Sequence, residues 1–96
     1  MINCKDWIQT YTRRRFRPLG SSAEDVEIAD VAHALSLICR YTGHIMDFYS
    51  VGDHSIRVCD RLARLGHGRE VQLAGLLHDA SEAYLVDVAR PVKWLP

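Results

Sequence analysis

Three side chains in this sequence have the types and spacing to hold a metal ion. His78 and Asp79 are adjacent within a long apolar-rich segment, and His54 stands near the start of the segment before it. Neighbouring helical residues diverge by about 100°, so this imidazole and carboxylate can share an ion only if it sits beside the helix, between their two headings. Asp79 lies among Leu76, Leu77 and Ala80, where an uncompensated carboxylate is costly to bury. A cation removes that cost. His54 falls one residue off the apolar stripe of its own helix, so antiparallel packing of the two helices predicts that its imidazole meets His78 and Asp79. Two neutral imidazoles and one carboxylate suit a borderline divalent ion such as Mn, Co, Ni, Fe or Zn better than Ca, which prefers oxygen ligands. Three protein ligands leave positions open for water, as catalytic sites do. Glu82 follows His78 by four residues and shares its face on a continuous helix. A single histidine-aspartate pair is also an ordinary polar contact at a helix crossing. The weight therefore rests on the three residues together.

The elements that must position these residues are helical. Ile28, Val31, Ala32, Leu35, Ile38 and Cys39 recur at helical spacing, which predicts a helix near 28–41 with one buried face and Gly43 as its stop. Upstream, Ser21 with Glu24 and Ser22 with Asp25 offer two alternative capping boxes. A stripe of Val51, Ser55, Val58, Leu62 and Leu65 predicts a second helix over 51–65, capped by Ser50 and Asp53 and ended by Gly66. A third, near 69–85, carries Leu73, Ala74, Leu76 and Leu77 on more than one side and is expected to be central. Gly75 inside it costs about 1 kcal/mol relative to Ala, a cost most readily offset where another backbone passes closely. Residues 1–22 read as a basic N-terminal arm and 23–96 as the helical unit. Around Phe16 the arm fits either a short strand or an ordered loop.

With 96 residues, 48% hydrophobic and 25% charged, the chain has room for one core and no second. A formal net charge of zero argues against overall attraction to nucleic acid or an anionic membrane. The arm is locally basic, with Lys5, Arg13, Arg14, Arg15 and Arg17 against Asp6. Without a recognised nucleic-acid fold such arginines are more often solvated or packed, so nucleic acid is not an expected partner. Cys4, Cys39 and Cys59 are odd in number and widely spaced; they fit neither a disulfide framework nor a CxxC site, and point to a reducing cytoplasm. No apolar run approaches the roughly 18 residues needed to span a bilayer, so no membrane association is expected. A homo-oligomer is compatible with the composition.

Several ordered segments carry a family resemblance. Asp30-Val31-Ala32-His33-Ala34-Leu35-Ser36, Phe48-Tyr49-Ser50-Val51-Gly52-Asp53-His54-Ser55 and Leu76-Leu77-His78-Asp79-Ala80-Ser81-Glu82-Ala83-Tyr84, followed by Asp87 and Arg90-Pro91-Val92-Lys93, resemble the HD-domain metal-dependent phosphohydrolases. Among these, bacterial and phage members related to 5′-deoxynucleotidases are the most similar. The resemblance implies an all-α HD-domain helical bundle, here its N-terminal part, preceded by an irregular or short-strand arm. It implies divalent-metal-dependent hydrolysis of a small-molecule phosphate ester, a nucleotide or nucleoside monophosphate. His54, His78 and Asp79 match the family's first three metal ligands. Glu82 matches the residue that positions or activates the attacking water, and Asp87 the residue associated with protonating the leaving group. Arg40 is the match to the phosphate contact. The family draws a fourth ligand, an Asp, from a later helix, whereas this sequence ends at Pro96. The sequence is therefore expected to be either a fragment or a shortened chain, and the alternative to an enzyme is a truncated, non-catalytic helical module that retains the metal-binding residues.

Overall fold

The computed structural model describes residues 6–86. Helical periodicity in the sequence becomes α1 (Ile28–Leu37), α2 (Val51–Arg64), α3 (Arg69–Leu77) and α4 (Glu82–Leu85). Ahead of them, β1 (Ile8–Gln9) and β2 (Arg15–Phe16) pair antiparallel with Ile8 opposite Phe16. The described chain is thus dominated by helices. The arm resolves as a hairpin of two very short strands, and its turn includes Arg13 at φ 68°. Three of its arginines are engaged within the chain: Arg14 pairs with Glu27 at 3.0 Å, Arg17 with Asp6 at 3.1 Å, and Arg15 lies 4.7 Å over the Trp7 ring. No helix among the described residues is long and apolar enough to cross a membrane.

The first helix is shorter than its periodicity predicts. It ends at Leu37 rather than near residue 41, because the following backbone pairs with the entry to α2. Ile38 C=O accepts from Val51 N–H at 2.8 Å, and Arg40 N–H donates to Tyr49 C=O at 2.8 Å, around a Cys39–Ser50 bridge. Extended geometry at Ile38 is incompatible with another helical turn. Ser22 and Asp25 do engage each other, Ser22 N–H donating to the Asp25 carboxylate at 2.9 Å. They close a 3₁₀ turn at Ala23–Asp25 instead of capping α1.

The third helix also divides. α3 ends at Leu77, turns through 78–81 and resumes as α4. Hydrogen bonds in that turn tighten to i→i−3 spacing, from Ala80 N–H to Leu77 C=O and from Glu82 N–H to Asp79 C=O, each 3.0 Å. Nor is α3 central among the described residues, since Leu73 is 53% exposed and Val71 and Leu77 are also exposed. Its packing surface is α2. A Cβ on Gly75 would collide with Leu62 Cδ1 and lie 3.1 Å from Val58 Cγ1, so the close approach at this glycine is by side chains. The tight backbone approach occurs at Gly52, where a Cβ would lie 3.3 Å from both the Leu35 carbonyl carbon and the Ser36 nitrogen of α1.

The buried core is Val31, Leu35 and Val51, flanked by Ile38, Ala80, Ala83 and Tyr84. Phe16 of β2 is buried and stacks on Tyr84 at 3.9 Å between centroids, while Tyr11 stacks on His33 at 3.7 Å. Asp30 is only 2% exposed and anchors the arm: Thr12 N–H and Oγ1–H donate to its two carboxylate oxygens at 2.6 and 2.9 Å. Burial alone would raise its pKa, but the Thr12 backbone bond, the Thr10 and Thr12 hydroxyls and the Arg14 charge together hold it below its ordinary value. Removing this carboxylate leaves a buried donor unpaired, so Asp30→Ala should destabilise the fold by about 1–3 kcal/mol, read from urea midpoints at pH 7. A pKa lowered in the folded state gives stability that is complete above the ordinary value of 3.8 and lost as pH falls through the folded value. The gap between wild type and Asp30→Ala should therefore hold from pH 7 down to the ordinary Asp range and narrow below it.

Candidate metal centre

α2 begins on a cap that fixes His54. Ser50 Oγ accepts from Asp53 N–H at 3.0 Å, and His54 N–H donates to Ser50 C=O at 3.0 Å, which sets the imidazole in the first turn. Gly66, at φ 87°, ends the α2 segment and lets the chain reverse. α3 then runs antiparallel to α2, placing Gly75 against Val58 and Leu62 and His78-Asp79 beside His54. The three predicted ligands come together. His78 Nε2 lies 3.0 Å and His54 Nε2 3.7 Å from Asp79 Oδ2. One ligand atom from each residue lies within 4.8 Å of the others, with the two imidazole rings 5.2 Å apart.

Hydrogen bonding decides what these atoms carry. His78 Nδ1 is 2.6 Å from Gly75 C=O, and since a carbonyl can only accept, Nδ1 holds the proton. That leaves Nε2, turned toward Asp79 at 3.0 Å, as the nitrogen His78 would offer an ion. Burial, followed by the charges of Arg40 and His78, lowers the His54 pKa, with Asp79 opposing, so His54 is neutral at pH 7. Lone-pair donors converging on one spot repel unless a proton or cation lies among them. The donor set fits a borderline divalent ion, and a ligating histidine that donates its other nitrogen to a backbone carbonyl is the usual outer support of such sites. The C-terminal end of α3 adds partial negative charge at this position.

Of the remaining predicted residues, Arg40 reaches the wall of the site, and its charge acts on His54. Its guanidinium packs 4.5 Å from the Tyr41 ring and 5.7 Å from the Tyr49 ring, and Nη1 donates to Tyr41 Oη at 3.1 Å. The turn that follows holds Tyr41 and Thr42 at φ 59° and 54°, left-handed conformations that cost non-glycine residues about 1–3 kcal/mol each. His44 closes that turn through its N–H to Tyr41 C=O at 2.9 Å and is exposed. Glu82 opens α4 one turn after Asp79, half-buried; the intervening turn replaces the continuous helical face expected for it and His78. Asp87 lies outside the described residues. Sequence reasoning did not single out Tyr49, which meets His54 edge-on at 6.3 Å. Its signal was position alone, directly before the Ser50 cap. Nor did it foresee the Gly75 carbonyl as the His78 partner.

No protein-family model matches the chain. Over 89 residues it is 37% identical to "Uncharacterized protein YfdR" of Escherichia coli K12, covering 93% of this chain and 47% of that protein. To "Uncharacterized protein RCAP_rcc00048" of Rhodobacter capsulatus it is 41% identical over 91 residues, covering 91% of this chain and 46% of the relative. The chain thus spans about half the length of the curated relatives it matches.

A ligand that binds only the folded state stabilises it by about 2.7 kcal/mol at a hundredfold excess over Kd. Adding Mn, Co or Zn should therefore raise Tm, with one ion bound per chain by calorimetry. The rise should vanish in His54→Ala and Asp79→Ala. A melting curve unmoved by every ion would show that the three residues share no metal.

Proposed function

We propose that this protein is an HD-family metal-dependent phosphohydrolase, formed on the N-terminal part of an HD helical bundle and acting on a nucleotide-like phosphate ester. The observation that carries this reading is that His54, His78 and Asp79 bring one ligand atom each within 4.8 Å of the others, with the Arg40 charge acting on His54. A divalent ion held there would lower the pKa of a water and withdraw charge from a phosphoryl oxygen. The remaining work is positioning and electrostatics, which is most of what phosphoryl transfer asks of a protein.

Each residue has a definite part. His54 and His78 would offer their Nε2 atoms, the latter oriented by the Gly75 carbonyl, and Asp79 would supply the anionic ligand. Arg40 offers paired N–H donors that match two non-bridging phosphate oxygens. Its stacking on Tyr41 and Tyr49 limits the rotamer freedom it must lose on binding. Glu82, at the start of α4, is assigned to orient the attacking water and take its proton. Asp87 is assigned to protonate the leaving oxygen, on the family resemblance alone.

The assay is hydrolysis of a generic phosphomonoester and a nucleoside monophosphate panel with Mn or Co added. Asp79→Ala should fall to background. Loss of charge-assisted bonds worth about 1.5–3 kcal/mol predicts that Arg40→Ala lowers kcat/KM by roughly ten- to a hundredfold. Metal binding without turnover on any substrate would favour a non-catalytic helical module that uses the ion for folding or association.

A further inference from the structure

A second guanidinium stands at the same wall, and the catalytic assignment leaves it unused. Arg57 Cζ lies 5.8 Å from the centroid of Tyr49, the ring that Arg40 approaches to 5.7 Å and His54 meets edge-on. Arg57 follows His54 by three residues on α2, so both side chains leave the helix on the same side. Asp53 accepts from its Nε at 3.2 Å, an exposed i,i+4 pair of the kind that contributes little stability. That contact uses the inner edge of the guanidinium and leaves its terminal amino groups as donors. The side chain is 70% exposed. Two guanidiniums thus approach one ring beside the candidate ligands, and Asp53 is paired with one of them.

We propose that Arg40 and Arg57 form a two-guanidinium seat at Tyr49 for a second phosphate, so that the substrate class is one with adjacent phosphate groups, such as a nucleoside diphosphate. This rests on the phosphate-ester reading above and narrows it. The reacting phosphorus lies on the ligand side of Arg40, and its neighbour lies between the two arginines. Hydrolysis forms a P–O bond from the water oxygen to the reacting phosphorus and breaks its P–O bond to the bridging oxygen. Glu82 takes one water proton, the departing oxygen takes a proton from Asp87 or solvent, and the other water proton leaves with the phosphate released. Negative charge builds on the departing phosphate, where the arginine pair is already in place to receive it.

The experiment compares inorganic pyrophosphate with inorganic phosphate by calorimetry on metal-free protein, where metal chelation in solution does not intervene. It is paired with hydrolysis of a nucleoside diphosphate and its monophosphate by the Mn-loaded protein. Pyrophosphate should bind about tenfold or more tighter than phosphate. Arg57→Gln should weaken pyrophosphate more than phosphate and so erase that preference, whereas Arg64→Gln, farther along the same helix, should change neither affinity. Equal affinity for the two anions, or an unchanged preference in Arg57→Gln, overturns the seat. Monophosphate hydrolysis without any pyrophosphate preference would overturn the seat and leave the phosphohydrolase standing. A preference lost in Arg57→Gln, in a protein that hydrolyses nothing, would support the seat and remove the enzyme.

Discussion

The bond from His78 Nδ1–H to Gly75 C=O is the constraint on which the site depends. In a continued α-helix that carbonyl would accept from the Asp79 N–H; here it is occupied by an imidazole at 2.6 Å. One interaction thereby ends α3, fixes the His78 tautomer and aims its Nε2 at Asp79. It operates at a residue crowded by α2, since a Cβ on Gly75 would meet the Leu62 and Val58 side chains. Helix termination, helix packing and ligand orientation therefore meet at Gly75. A side chain there would have to displace the tip of Leu62 and press on Val58 Cγ1.

The opposite wall is positioned by different means. Gly52 allows α2 to start against the backbone of α1, and the Ile38–Val51 and Arg40–Tyr49 hydrogen bonds splice the end of one helix to the beginning of the next. Arg40 and Tyr49 are joined through their backbones, which places the cationic side chain beside the ring it approaches. The strained turn at Tyr41 and Thr42 lies directly beyond this pair. The ring of Tyr41 in turn packs on the Arg40 guanidinium.

Much of this could be read from residue order. The Ser50–Asp53 cap, the Gly66 reversal and the stripe on α2 follow from local rules, and the meeting of His54 with His78 and Asp79 follows once α2 and α3 are antiparallel neighbours. Other features depend on interactions that periodicity does not encode. Ile38 continues the apolar spacing of α1, yet its carbonyl is committed to Val51, so the helix stops earlier. Leu85 lies within the helical pattern of α3, yet the ring of His78 interrupts the ladder between them. α3 has apolar residues on several sides, but α2 covers only one of them among the described residues. Arg57 and Tyr49 escaped notice because a guanidinium–ring contact leaves no spacing signature, and Tyr49 lies outside the helix that carries Arg57.

The placement of the ligands joins site formation to fold stability. His54 belongs to the first turn of α2, next to the buried Val51 and Ser55. His78 and Asp79 belong to the turn that leads into α4, where Ala80, Ala83 and Tyr84 pack on the Val31–Leu35–Val51 cluster. That cluster is small, and the contact between Phe16 and Tyr84 ties the arm to the same edge. An ion shared by the three ligands would clamp the start of α2 to the start of α4 across the core that both help to bury. Its binding free energy would then appear as folding free energy, and the arm, α1 and α4 would be held in register with the residues assigned to chemistry. Burial, followed by the Arg40 charge, lowers the His54 pKa against the pull of Asp79, which would leave its lone pair available to an ion.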